Sequence, residues 1–478
     1  VVTALDRLST TDVLFLNWRG PGHPQAGGAE AYCFEMARRF ADAGAAVTVF
    51  TARHPGAARR TVQEDGVRIL RGGGAFGVYA AAAWHLLSHR HAYDAVIDFQ
   101  NGIPFYSPVF TPRWTADICV IHHVHQEQFD VWFPWPLNAL GRFMEKRLSK
   151  WVYRGRPIVV VSPSTREGIR RVLGFRNPTH IVPNGAPEPL ASDPAPAPVA
   201  ATPTVAVVSR LVPHKRVDLL IGALPKLLAG TPQLRVEICG TGEALPRLRE
   251  YAARLGVAQS VTFHGHVDEE RKREVLARAW LTVVPSAAEG WGLTVIEANA
   301  LGKPALAFDV PGLRDAVLDG STGWLLAPDT DLADGVQSAL EQLADPAERE
   351  RWAERCRRWS RAFSWDHSAE RLAAVVVEEL HRIHRHRRSR RRTVDLTVRT
   401  RFHAGDGDAD AMERALRRGL RDTDEWDRSG TSFQVLLHGC DEVQARAVLR
   451  RLGVSESEIS QTRLAGRRDL LLGGKEGS

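Results

Sequence analysis

Two glutamates, Glu289 and Glu297, stand with seven residues between them around a Gly-Trp-Gly turn in EGWGLTVIE. The run LTVIEANALG has apolar residues at helical spacing and stops at Gly302, which predicts a helix from about Leu293 with Glu289 in the preceding loop and Glu297 one turn inside. Gly290 and Gly292 strip side chains from the approach, leaving backbone N–H groups at the positive end of that helix for a phosphate. In SRLVPHKR, Arg210 and Lys215 lie five apart after a strand. A guanidinium fork and an ammonium point charge together suit a diphosphate. Gly27 and Gly28 in GGAE let a backbone approach a bound group where a helix begins, and Gly240 and Gly242 in GTGE repeat the theme. Three histidines, His122, His123 and His125, close a strand in VIHHVHQEQF, a pattern open to metal binding or base catalysis. Each feature also has an ordinary reading: a favourable helix-start charge, a solvated loop cation, a tight turn, a core histidine.

The elements that must position these residues read as two α/β domains in series. Short β-branched runs at 12–17, 46–51, 94–99, 117–122 and 157–162 alternate with helical patterns, and the alternation restarts at 204–209, 234–239, 260–264, 281–285 and 304–308. Strands separated by helices of this length predict right-handed βαβ units and parallel sheets, so the expected fold class is α/β with two doubly wound, Rossmann-like domains facing a cleft. The expected boundaries are 1–187 for the first domain, completed by a crossover helix at 366–388, a Pro/Ala-rich linker at 188–203, and 204–365 for the second domain. Residues 394–478 change style to polar strands and amphipathic helices and read as a separate, small α+β appendage. Its removal after Arg392 is expected to leave donor hydrolysis intact while altering acceptor use, oligomeric state or localisation.

Composition narrows the function. A 44% apolar, 25% charged chain of 478 residues belongs with soluble globular proteins. Five scattered cysteines without a C-x-x-C pair read as reduced thiols of a cytoplasmic protein. The net charge of +7 resides in HRIHRHRRSRRRT, residues 381–393, whose seven arginines leave the remainder neutral. A nucleic-acid surface over the whole protein is therefore not expected, and one basic segment is left as a candidate contact with an anionic membrane.

Taken together, GGAE, SRLVPHKR, GTGE and EGWGLTVIE in this order, with IVPNG at 181–185 and FSWD at 363–366, resemble the family-4 retaining glycosyltransferases of the GT-B fold from residue 12 to about 385. The resemblance implies transfer of a sugar from a nucleotide-diphosphate donor to a hydroxyl acceptor with retained, α-type configuration, through a front-face mechanism in which the leaving phosphate helps deprotonate the acceptor. It implies that Glu297 receives the ribose hydroxyls, Glu289 the sugar hydroxyls, and the N–H groups around Trp291, Gly292, Leu293 and Thr294 the phosphate. Arg210 and Lys215 would neutralise the leaving diphosphate, Gly27 and Gly28 would close over it, and His122 would orient the donor sugar. His123 stands where many relatives have aspartate, so His123 and His125 become candidate acceptor contacts. Members of the family mostly need no metal, so no cofactor is expected. The expected partners are a nucleotide-sugar and a glycan, lipid-linked or small-molecule acceptor, with domain closure on donor binding. The competing readings are a GT-B nucleotide-sugar epimerase and a membrane or nucleic-acid adaptor with a vestigial enzyme core.

Overall fold

The computed structural model describes residues 3–23, 26–54, 57, 60–186, 197–385, 395–405 and 408–474. Most of the predicted linker and of the arginine run therefore lies outside the described residues. The chain divides into two compact units, Val1–Pro183 with Trp365–Glu476, and Asn184–Ser364.

The first unit is built on eight strands: β1 (Asp12–Leu16), β2 (Ala46–Ala52), β3 (Arg60–Glu64), β4 (Val67–Gly72), β5 (Ala95–Gln100), β6 (Ala116–Ile121), β7 (Ile158–Val160) and β8 (Thr179–Ile181). Their order is β3-β4-β2-β1-β5-β6-β7-β8, parallel throughout except for the β3–β4 edge pair. Strands covered on both faces must be apolar nearly throughout, and β5 and β6 are buried along their whole length. The helix Gly28–Asp42 docks on this sheet through Phe40, whose ring meets Phe15 edge-on at 5.6 Å.

In the second unit, β9 (Thr204–Val208), β10 (Arg235–Cys239), β11 (Val261–Gly265), β12 (Leu281–Val284), β13 (Ala305–Phe308) and β14 (Gly323–Leu326) form one sheet in the order β11-β10-β9-β12-β13-β14. All its pairs are parallel. The order runs outward from β9 in both directions, so β9 and β12 flank the point where the winding reverses, and the loops after them diverge to leave a crevice.

The C-terminal residues form a four-stranded antiparallel sheet, β15 (Thr397–His403), β16 (Glu425–Ser429), β17 (Ser432–His438) and β18 (Ile459–Leu464), ordered β16-β17-β15-β18. Helices Ala409–Gly419 and Glu442–Arg451 connect β15 to β16 and β17 to β18, a split βαβ arrangement. One face of this sheet carries the module's own apolar core, including Val398, Phe402, Phe433 and Val435.

The expected small α+β part is present, and it shares a compact unit with the first domain. The physical reason lies on the other sheet face, whose residues need partners from outside the module. Arg371, buried on the helix Trp365–Arg385, donates to Glu425 Oε1 at 2.8 Å and to the carbonyls of Leu470 and Leu471 at 3.0 and 3.1 Å. Arg166 reaches the Asp395 carboxylate at 3.2 Å, Arg170 pairs with the same group, and the rings of His180 and His438 lie 5.7 Å apart. Burial pushes the Glu425 carboxyl up, but Arg371, His438 and His367 more than offset it and bring it to about 2. Its charge is thus retained chiefly because the Arg371 guanidinium lies beside it.

Candidate functional site

In the second unit the loops after β9 and β12 deliver the charged residues of the crevice. Lys215, in a short 3₁₀ turn after β9, forms an ion pair with Glu289 from the loop after β12. Ser286 donates a second hydrogen bond to Glu289 Oε1 at 2.9 Å, and the Ala287 N–H donates to the His214 carbonyl at 2.9 Å, tying the two loops together. Burial raises the Glu289 pKa, while Lys215, Ser286 and His214 lower it by more, so the net shift is downward and the carboxylate stays ionised. Arg210 is exposed on the same loop.

Glu289 is followed by the helix Leu293–Ala300, whose N-cap Gly292 has φ 95°, a left-handed conformation open to glycine. Thr294 anchors that helix start by donating from Oγ1 to the Val208 carbonyl at the end of β9, 3.2 Å away. The Trp291 side chain is buried against Phe363, with ring centroids 5.0 Å apart, so Trp291 offers a ligand its backbone and not its indole. Glu297 lies one turn into the helix and accepts from Lys272 Nζ at 2.9 Å. Burial raises its pKa against the pull of Lys272.

Gly240 and Gly242 serve close backbone approach. A Cβ at Gly240, where φ is 135°, would lie 1.8 Å from the Ser209 carbonyl oxygen, and one at Gly242 would lie 2.2 Å from that of Leu211. Both neighbours flank Arg210, so these glycines set the path of the loop that carries it. Gly240→Ala is expected to destabilise the second unit by about 2 kcal/mol or more, read as a lower urea midpoint at unchanged m-value. A variant melting with the wild type would refute this role.

In the first unit His122 follows β6 directly. Its ring meets Tyr32 edge-on at 5.1 Å and stacks on Phe99 at 6.0 Å, and its carbonyl accepts from Thr165 Oγ1 at 2.9 Å. Both His122 Nε2 and the Tyr32 hydroxyl are buried without a hydrogen-bond partner among the described residues. Buried polar atoms normally find partners, so this pair is fitted to receive a polar ligand. Burial, reinforced by His125, lowers the His122 pKa to about 3. The lowered value favours the neutral ring, so His122 is expected to act as a neutral hydrogen-bonding group, with no titration near 6.5. Histidine NMR resonances followed from pH 5 to 8 check this, and a His122 signal that titrates within that range would refute it.

His123 and His125 lie with ring centroids 3.8 Å apart. His123 is half-buried and faces Gln128 Oε1 at 3.2 Å, whereas His125 is buried and its N–H donates to Glu145 Oε1 at 2.8 Å. His125 is thus built into the local fold, and His123 is the more accessible of the two. Gly27, half-buried, opens the helix Gly28–Asp42, and its N–H is already given to Glu30 Oε2 at 2.7 Å. Among the described residues Glu378, His381 and Asp422 bring possible metal-ligating atoms within 4.8 Å of one another, but Asp422 is already paired with Arg7.

Sequence reasoning missed Lys272, Ser286 and Tyr32. Lys272 is one cation in the mixed run DEERKRE, and only the Asp268 cap, which accepts from the Arg271 N–H at 2.8 Å, marks the helix that aims it. Tyr32 carries no signal beyond its place one turn into a predicted helix.

Two family models match this chain in tandem, the one described as Glycosyltransferase Family 4 over residues 26–188 and the one described as Glycosyl transferases group 1 over residues 194–359. A D-inositol 3-phosphate glycosyltransferase from Nocardia farcinica is 40% identical over 187 residues, which span 38% of this chain and 41% of that protein. The chain thus matches about two fifths of the length of that relative. A protein of the same name from Thermobispora bispora is 26% identical over 80% of this chain and 96% of its own length. Among solved structures, sucrose-phosphate synthase from Thermosynechococcus elongatus superposes with a TM-score of 0.65 at 22% identity, covering 77% of this chain and 98% of that one. Anabaena Alr3699/HepE, solved with UDP and glucose, gives 0.58 at 19% identity over 77% and 100%.

Proposed function

Because this chain belongs to the glycosyltransferases of the GT-B type, we propose that it moves a glycosyl group from a nucleoside-diphosphate sugar to a hydroxyl acceptor with retention of configuration, forming an α-type bond. One observation carries the reading. At the winding reversal of the second sheet, an ion-paired Lys215–Glu289 couple lies beside the glycine-led start of the helix Leu293–Ala300. A cation, an ionised carboxylate and a helix N-terminus at one crevice match the parts of a nucleotide-sugar: a diphosphate for the cation and the N–H groups, sugar hydroxyls for the carboxylate. The structure of HepE with UDP and glucose, a protein of the same fold, agrees with this class of donor.

In this reading Glu297, held by Lys272, receives the ribose hydroxyls. Lys215 keeps N–H donors beyond its bond to Glu289, and with Arg210 it meets the negative charge that grows on the diphosphate as the glycosidic bond breaks. Donors preorganised where charge develops lower the barrier without reorganising during the reaction. The leaving phosphate takes up the acceptor proton on the same face, which accounts for retention without a protein nucleophile. His122 and Tyr32 offer neutral hydrogen bonds to the transferred sugar, and His123 is the acceptor contact. The test is release of free nucleotide from a panel of UDP- and GDP-sugars with and without acceptor alcohols, followed by the anomeric coupling constant of the product. Turnover of one donor to an α-linked product is expected, and a product of inverted configuration would remove the front-face assignment.

A further inference from the structure

A surface helix of a globular protein turns its apolar stripe inward. The helical run from Leu137 to Val152 in the first unit does the reverse. Its inward stripe, at steps of four, is Gly141, Glu145, Ser149 and the following Tyr153, all buried. Polar contacts hold that stripe. Glu145 accepts from the His125 N–H at 2.8 Å and from Gln126 Nε2 at 2.6 Å, Ser149 donates to the Met144 carbonyl at 3.0 Å, and a Cβ at Gly141 would meet the Phe129 ring at 2.6 Å. The outward face carries Leu137, Leu140, Phe143 and Trp151, with Trp135 just before the helix; the two tryptophans are 72% and 80% exposed. No helix of the described residues is long and apolar enough to cross a membrane, so this face would have to lie on a surface.

Charge decides which surface. Residues 137–154 hold five cations, Arg142, Lys146, Arg147, Lys150 and Arg154, and a single acid, Glu145, which is buried. Arg142 is ion-paired with Asp130 at 2.5 Å, while Lys146, Arg147, Lys150 and Arg154 are exposed among the apolar residues. Two copies meeting through this face would bring like charges together. A bilayer containing anionic lipid supplies both what the apolar residues and what the cations need, and tryptophan favours the boundary between headgroups and acyl chains. The geometry points to an in-plane docking of this helix on an anionic membrane surface, with Leu140, Phe143 and Trp151 in the acyl boundary and Lys146, Arg147 and Lys150 at the headgroups. This site is separate from the arginine run at 381–393 and independent of the donor reading.

The test is co-sedimentation of the full chain with vesicles of phosphatidylglycerol and phosphatidylcholine at low salt, against phosphatidylcholine alone. Binding to the anionic vesicles only is expected. The variants Leu140→Ser/Phe143→Ser/Trp151→Ser and Lys146→Gln/Arg147→Gln/Lys150→Gln should each partition about tenfold less or weaker still, with unchanged melting because every replaced side chain is exposed. Quenching of tryptophan fluorescence by brominated lipid, reduced in Trp135→Phe/Trp151→Phe, reports insertion with substitutions that preserve aromatic bulk. Wild-type sedimentation retained in both variants would move the attachment elsewhere in the chain and overturn the proposal. A failure of the wild type to bind, or a dimer abolished by the apolar variant, would overturn it equally.

Discussion

Replacing Lys215 by alanine is expected to lower kcat/KM for the donor by about ten- to a hundredfold, the equivalent of about 1.5–3 kcal/mol for one charge-assisted contact. The substitution removes the cation proposed to face the diphosphate and takes away the ion-pair partner that lowers the Glu289 pKa. The Glu289 carboxylate then keeps Ser286 as its hydrogen-bond donor among the described residues, so its pKa should climb and the proposed binding of sugar hydroxyls weaken. Because both losses pass through one ion pair, the double variant Lys215→Met/Glu289→Gln should cost less than the sum of the two single changes. Steady-state kinetics of the three variants measure this, with a melting curve to show that each is folded. Glu297→Ala should fall in the same range, since Glu297 lies in the crevice and is bonded to Lys272. Near-normal turnover in Lys215→Ala would sink the assignment of the crevice.

The second large effect is on stability. Arg371→Ala strips Glu425 of its nearest cation and leaves the carbonyls of Leu470 and Leu471 without that donor. Breaking a buried, hydrogen-bonded ion pair by removing one partner costs about 3–5 kcal/mol. Arg371→Ala should therefore lower the unfolding free energy of the first unit by that amount, read as a lower urea midpoint, and Arg371→Lys should recover only part of it because an ammonium lacks the fork geometry. Truncation after Arg392 should do more damage still, since it also uncovers Arg166, Arg170 and His180. A truncated chain with the wild-type midpoint would show that these contacts do not hold the first unit together.

The parallel strands of both large domains were legible because strands buried on two faces leave long apolar runs such as AVIDF and LTVV, and glycine and cation motifs follow them closely. The strands that escaped notice are β3, β4, β8, β14, β16 and β18, which are short, at a sheet edge or mixed in polarity: RTVQE in β3, EWDRS in β16 and ISQTRL in β18 lack an apolar run. Tertiary pairing defines them, and no local pattern does. The positions of Glu289 and Glu297 around a helix start were legible from glycine spacing. Their salt-bridge partners were not, since Lys215 and Lys272 lie 74 and 25 residues away in sequence. The docking of the C-terminal module was hidden for the same reason: Arg371, Asp395 and Glu425 look individually like solvated charges, and only the fold encloses them.

The residues of the second unit, Asn184–Ser364, form one unbroken stretch inserted between the two parts of the first. The parallel bridge between Ala186 and Ser364 joins its beginning to its end. On the ribosome, the inserted unit has all its strands as soon as residue 364 has emerged, whereas the opening 183 residues must wait for Trp365, which packs against Tyr32 at 6.0 Å, and then for the β15–β18 sheet that supplies Glu425 to Arg371. Residues 1–183 are thus made before the insert yet completed after it, and during that interval their unfinished surfaces are open to chaperones and proteases.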